Sequence, residues 1–90
     1  MSFTVINNNA ASRFEAQSDD YVALVDYQIN GKQITLVHTE VPVQLGGQGV
    51  GGRIVKAALD FAQNNGLKVF PECPFVARYI ERHPDYRNLV

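Results

Sequence analysis

Leu45-Gly46-Gly47-Gln48-Gly49-Val50-Gly51-Gly52-Arg53 runs straight into Ile54-Val55-Lys56-Ala57-Ala58-Leu59-Asp60-Phe61-Ala62. Five of the first eight residues are glycine, and Val50, Ile54, Ala57 or Ala58, and Phe61 then recur at helical spacing, with Val55, Leu59 and Ala62 widening the stripe. Glycines that end in the first turn of a helix let the backbone approach a ligand closely. The unpartnered N–H groups of that turn and the positive end of the helix dipole then face one point. Such a point takes phosphate or pyrophosphate.

Upstream of the loop the period is two. Tyr21, Ala23, Val25, Tyr27 and Ile29 share one face of a strand, and Asn30-Gly31 is a hairpin signal of the type I′ kind. Gln33 to Glu40 follows as the partner strand, with Ile34, Leu36, His38 and Glu40 expected on one face and Thr35, Val37 and Thr39 on the other. Before these, Phe3-Thr4-Val5-Ile6 reads as a short strand ended by Asn7-Asn8-Asn9. Arg13 to Gln17 reads as another, turned by Ser18-Asp19-Asp20. Pro42, in Val41-Pro42-Val43, breaks the ladder because it has no N–H to donate.

Downstream, Asn64-Asn65-Gly66 stops the first helix, and Leu67-Lys68-Val69-Phe70 is a strand closed by Pro71. A strand, a helix and a strand in this order predict a crossover that lays the last strand parallel to one of the meander. Cys73 to about Arg82 reads as a second helix with Pro74 in its first turn and Phe75, Val76, Tyr79 and Ile80 on its buried face. His83-Pro84 ends it, and Asp85 to Val90 reads as an irregular tail. The architecture is α+β: a mostly antiparallel sheet with a strand–helix–strand crossover and a C-terminal helix, in one domain over residues 1–90.

The chain has 90 residues, 46% hydrophobic, 10% aromatic and 19% charged, with a net charge of −1. That balance offers no basic face for nucleic acid. No apolar run is long enough for a membrane span, and the N-terminus lacks the pattern of a signal peptide. A single cysteine, Cys73, rules out an internal disulfide and a multi-cysteine metal site; a metal held by His38, His83 and Cys73 has no ligand spacing to support it. The expectation is a cytoplasmic protein, a monomer or weak homodimer, without nucleic-acid, membrane or metal partners.

Gly47 to Gly52 formally satisfies G-x-G-x-x-G, with Glu72 near where a ribose-binding acid would stand. An antiparallel meander precedes it, however, and only 18 residues follow Glu72, too few for a doubly wound sheet. A P-loop reading fails because no Gly-Lys-Ser/Thr follows. A plain flexible turn would rarely carry five glycines, each adding backbone entropy cost.

Gly46-Gly47-Gln48-Gly49-Val50-Gly51-Gly52-Arg53 resembles the pyrophosphate loop of the GCN5-related N-acetyltransferase (GNAT) superfamily, Gln/Arg-x-x-Gly-x-Gly/Ala at a helix start after a broken strand. Gly49 and Gly51 match the small positions, and Gly46 replaces the usual first residue, which removes a side chain but not the backbone donors. His38-Thr39-Glu40-Val41-Pro42, Asn65-Gly66-Leu67-Lys68-Val69, Cys73-Pro74-Phe75-Val76 and Arg82-His83-Pro84-Asp85-Tyr86 extend the likeness to the very short, single-domain GNAT-like proteins.

The resemblance implies acetyl-coenzyme A as cofactor and an amine as acceptor. The pyrophosphate would lie on Gly46, Gly47, Gln48, Gly49, Val50, Gly51 and Gly52, with Arg53 either a phosphate contact or a solvated helix residue. The pantetheine arm would follow the strand edge at Glu40, Val41, Pro42 and Val43. Cys73, at a helix N-terminus and matched by a cysteine in the short relatives, is either a nucleophile or a small packing residue. Glu40 and His38 are candidate bases for the amine; equally, Glu40 reads as an exposed strand carboxylate and His38 as a core histidine. By the same resemblance Tyr79 or Tyr86 could protonate the leaving thiolate, although spacing also makes Tyr79 plain core. The competing function is a non-catalytic acyl-coenzyme A binding module.

Overall fold

In a computed structural model, which describes residues 4–18 and 20–90, five strands form one sheet in the order β1-β2-β3-β4-β5. The strands are β1 (Thr4–Asn8), β2 (Arg13–Ser18), β3 (Tyr21–Asn30), β4 (Gln33–Glu40) and β5 (Lys68–Pro71). The first four pair antiparallel as a meander, and β5 lies parallel to β4. Helix α1 (Val50–Asn64) makes the crossover and α2 (Pro74–Arg82) follows β5. Phe3 and Asp19, which were expected in a strand and a turn, lie outside the described residues.

One face of the sheet is covered. Ala16, Val25, Tyr27, Ile34, Leu36 and Val69 point into a single core against Ile54, Val55, Ala58, Leu59 and Ala62 of α1 and Val76 and Ile80 of α2. The stripe recurs at three- and four-residue steps along α1, which is why the helix lies flat on the strands. Phe14, Tyr27 and Phe61 fix its C-terminal half as an aromatic cluster, with ring centroids 5.5 to 6.5 Å apart. The opposite face of the sheet bears Glu15, Leu24, His38 and Glu40.

Four expectations need correction. The hairpin turn is centred on Gly31-Lys32, since Asn30 still pairs with Gln33, and only Gly31 takes a positive φ. A I′ turn needs positive φ at both central residues. Asn7 and Asn8 belong to β1, and the chain turns instead through a 3-10 segment at Asn9–Ala11. The C-terminal tail is a 3-10 helix, Pro84–Leu89, that buries Tyr86 and Leu89. Phe75 is not in the core but 43% exposed at the start of α2.

The C-terminal turn is tied to α1 by chemistry as well as burial. The Tyr86 hydroxyl donates to Asp60 Oδ1 at 2.7 Å, and Lys56 Nζ donates to Oδ2 at 2.8 Å. Burial pushes the Asp60 carboxyl up, but these two donors outweigh it and hold it below the ordinary carboxylate range. A depressed carboxylate contributes stability above its unfolded pKa and loses it as pH falls through the folded value. Tyr86→Phe should therefore cost about 1 kcal/mol at neutral pH, measured by urea unfolding. It should also flatten the loss of stability in acid, because the variant's Asp60 is less depressed.

Candidate functional site

The site is built where β4 and β5 part. Their parallel pairing runs from Gln33 with Lys68 to Leu36 with Pro71, and the Cys73 N–H still donates to Leu36 O at 3.1 Å. The chain then leaves as α2. Beyond Leu36 the β4 edge that faces away from β3 has no strand partner among the described residues. Backbone groups along such an edge call for a partner.

At the same point β4 is bulged. Asp26 pairs with His38 and Tyr27 with Leu36, so Val37 has no opposite residue on β3. One extra residue exchanges the faces of everything that follows it. Thr39, not His38, continues the core row of Ile34 and Leu36. His38 and Glu40 move to the outer face, 56% and 66% exposed at the side chain, with Nε2 and Oε2 3.3 Å apart. The shared face expected for Ile34, Leu36, His38 and Glu40 is thus corrected, as is the core histidine, whereas Glu40 is the exposed strand carboxylate of the alternative reading.

The exchange brings Thr39 to Cys73. Sγ and Oγ1 stand 3.3 Å apart across the gap, and Cys73 is only 7% exposed. Cys73 is the N-cap of α2, so its thiol lies over the first-turn amides. The amides of Phe75 and Val76 face the sulfur without closing a full capping hydrogen bond. Burial pushes the thiol pKa up, but the Thr39 hydroxyl and the amides of Val76, Phe75 and Thr39 outweigh it, leaving the thiol below its ordinary value. The lowering requires Thr39 to donate to the thiolate, the reverse of the thiol-state bond in which Sγ–H donates to Oγ1.

The glycine loop forms a cradle beside this gap. After Pro42 a 3-10 turn, Val43–Leu45, buries Leu45, and the Gly46 N–H donates to Val43 O at 3.1 Å. Gly47 and Gly49 then take φ of 78° and 75°, which L side chains rarely adopt. Gly49 is the N-cap of α1, and the first donor to be paired is Arg53, whose N–H meets Gly49 O at 3.1 Å. The amides of Val50, Gly51 and Gly52 thus occupy the open first turn of a 15-residue helix. They border a cavity of about 300 Å³ lined by all five loop glycines with Val41, Leu45, Val50 and Phe75. A Cβ on Gly51 would stand 2.7 Å from Phe75 Cζ and 3.3 Å from Val41 Cγ2, so the absence of a side chain there keeps the cavity open.

The candidate residues therefore divide. Val41, Gly46, Gly47, Gly49, Val50, Gly51 and Gly52 come together around one cavity, whereas Pro42, Val43, Gln48 and Arg53 do not line it. Val43 is 87% exposed, and Gln48 Nε2 donates to Gln44 O at 3.4 Å. Leu45 and Phe75 also line the cavity and Thr39 meets Cys73, roles that the sequence pattern alone does not mark. Tyr79, half-buried, stacks on His83 at 3.9 Å, and burial raises its pKa, keeping it a phenol. Tyr86 is committed to Asp60.

Residues 13–89 match the family model described as GCN5-related N-acetyl-transferase. Protein NATD1 of Xenopus tropicalis is 33% identical over 72 residues, covering 80% of this chain and 65% of that protein. Protein NATD1 of Homo sapiens is 38% identical over 63 residues, covering 69% of this chain and 56% of that protein. The chain thus spans less than two thirds of the length of these relatives. The solution structure of a GCN5-like protein from Staphylococcus aureus, proposed as an N-acetyltransferase, superposes with a TM-score of 0.75 at 27% identity, covering 96% of this chain and 85% of that one.

The Thr39–Cys73 contact has a direct spectroscopic consequence. Ultraviolet titration of the single thiolate should give a pKa below that of an ordinary thiol, and Thr39→Val should raise it while leaving the fold intact. An unchanged value would show that Thr39 does not stabilise the thiolate.

Proposed function

The chain belongs to the GCN5-related N-acetyltransferase family, and we propose that it binds acetyl-coenzyme A and transfers the acetyl group to an amine. The observation that carries the reading is the cradle. Its open helix-turn amides, two left-handed glycines and cavity beside the unpaired β4 edge suit a pyrophosphate joined to an extended arm. Backbone amides hold a phosphate without a charged side chain, so the departure at Gly46 leaves them in place.

Acetyl-coenzyme A supplies an acyl group already activated as a thioester. The residues of the chain divide the remaining work between the two sides of β4. On the core side Cys73 Sγ lies in the gap, where Thr39 Oγ1 favours its thiolate. It would either take the acetyl group as the thioester bond breaks and the coenzyme thiolate leaves, then pass it to the amine, or border the thioester while the amine attacks directly. On the outer side Glu40 Oε2 and His38 Nε2 can take the proton that the amine loses, directly or through water. This division sends the amine to the outer face and the cofactor to the α1–α2 side. Tyr79 holds a proton as a phenol within the helix that borders the cradle.

A second reading, a non-catalytic acyl-coenzyme A binding module, draws support from the exposure of His38 and Glu40, since a solvated base contributes less than a desolvated one. Intact-mass measurement after incubation with acetyl-coenzyme A separates the two. An adduct on Cys73 or on added amines favours the enzyme; coenzyme binding with neither adduct nor thiol release across a panel of amines favours the module.

Binding has its own test. Coenzyme A should shift the amide resonances of residues 46–53, and silence there would remove both readings. Gly51→Ala should weaken binding by about tenfold, because its methyl enters the cavity. The exposed Phe75 ring can swing aside, so the fold should persist; calorimetry for binding and thermal unfolding for the fold read the two effects separately.

A further inference from the structure

Helix α2 runs from Cys73 at the gap, past Phe75 at the rim of the cradle, and ends at Arg82. Along its outer part lies a second groove, about 160 Å³, lined by Phe75, Arg78, Tyr79, Arg82 and His83. Phe75 borders both concavities. A Cβ on Gly52 would stand 3.5 Å from Tyr79 Cε2, so the groove begins where the first-turn amides of α1 end.

Its lining is unusual for a nine-residue helix. Arg78 and Arg82 are four residues apart on one face, where like charges repel. Neither has an ion-pair partner among the described residues, although Glu81 lies on the same helix. The helix dipole explains Arg82, which sits in the last turn; Arg78, a turn earlier, gains little from it. Beside them the rings of Tyr79 and His83 stack at 3.9 Å and 14°. His83 Nδ1 lies 2.7 Å from Tyr79 O, so that nitrogen must donate and the imidazole is clamped flat.

We propose that this groove receives the phosphorylated adenosine end of coenzyme A, with the guanidiniums of Arg78 and Arg82 on the ribose-linked phosphomonoester and the rings of Phe75 and Tyr79 against the nucleoside. The inference rests on the coenzyme A reading above and adds to it a subsite with a charge requirement. The cradle satisfies a pyrophosphate with neutral amides, but a terminal phosphomonoester is a dianion at neutral pH, and paired guanidiniums bind it through charge-assisted hydrogen bonds. The two concavities are adjacent, as the two ends of one nucleotide require.

Coenzyme A and dephospho-coenzyme A, which lacks only that phosphate, discriminate the subsite from the cradle. Calorimetric titration of the wild-type protein should show dephospho-coenzyme A binding about tenfold or more weakly. In Arg78→Gln/Arg82→Gln the two ligands should bind within about twofold of each other, with dephospho-coenzyme A held as well as by the wild type. Equal binding of both ligands by the wild type would overturn the subsite while leaving the cradle standing. So would a double variant that still discriminates. Failure to bind either ligand would overturn the coenzyme reading and the subsite with it.

Discussion

The structure depends on two strands that pair for four residues and then part. β4 and β5 hold register from Gln33–Lys68 to Leu36–Pro71, which closes the sheet and seats α1 on it. Past that point the same edge of β4 has no strand partner among the described residues, with Cys73 and the start of α2 across from it. A fully paired β5 would bury more backbone but leave no opening. The opening in turn determines the neighbours: at the C-terminal end of β4 the thiol meets Thr39, and two residues on, the glycine cradle is lined by Val41.

Around that opening, recognition is divided between neutral backbone and charged side chains. The cradle works through amides whose direction α1 fixes, and the core stripe of α1 holds that helix in place. The thiol is set by a similar device on α2, where capping amides and one hydroxyl oppose the cost of burial. Tyr86 and Lys56 converge on Asp60 and anchor the C-terminal turn to the middle of α1. The helix that carries the loop is therefore fastened on both its sheet side and its C-terminal side. No helix among the described residues is long and apolar enough to cross a membrane.

Much of this was legible in the letters. Strict alternation marked β3 and β4 nearly to the residue, and the change from period two to helical spacing marked the start of α1 at Val50. The five glycines located the cradle. The bulge was not legible, because Val37-His38-Thr39 continues a β-branched, alternating pattern with neither glycine nor proline to mark the extra residue. That one omission misplaced His38 and Glu40 and hid Thr39. Helical spacing puts Phe75 with the core because it does not distinguish a core stripe from the rim of a cavity. The final turn carries no clear signal because Asp85, Arg87 and Asn88 dilute the two residues, Tyr86 and Leu89, that it buries.

The bulge also imposes a constraint of counting on β4. A substitution within β4 acts mainly on its own position and on the partners it touches, as Thr39 does on Cys73. A residue gained or lost anywhere between the hairpin and Thr39 acts on all that follow, since the hairpin fixes one end of the register and Pro42 with the 3-10 turn fixes the other. Such a change would put Thr39 outside and a charged or imidazole side chain against the thiol. The length of this strand from Gly31 to Thr39 is therefore itself a part of the site, beside the residues within it.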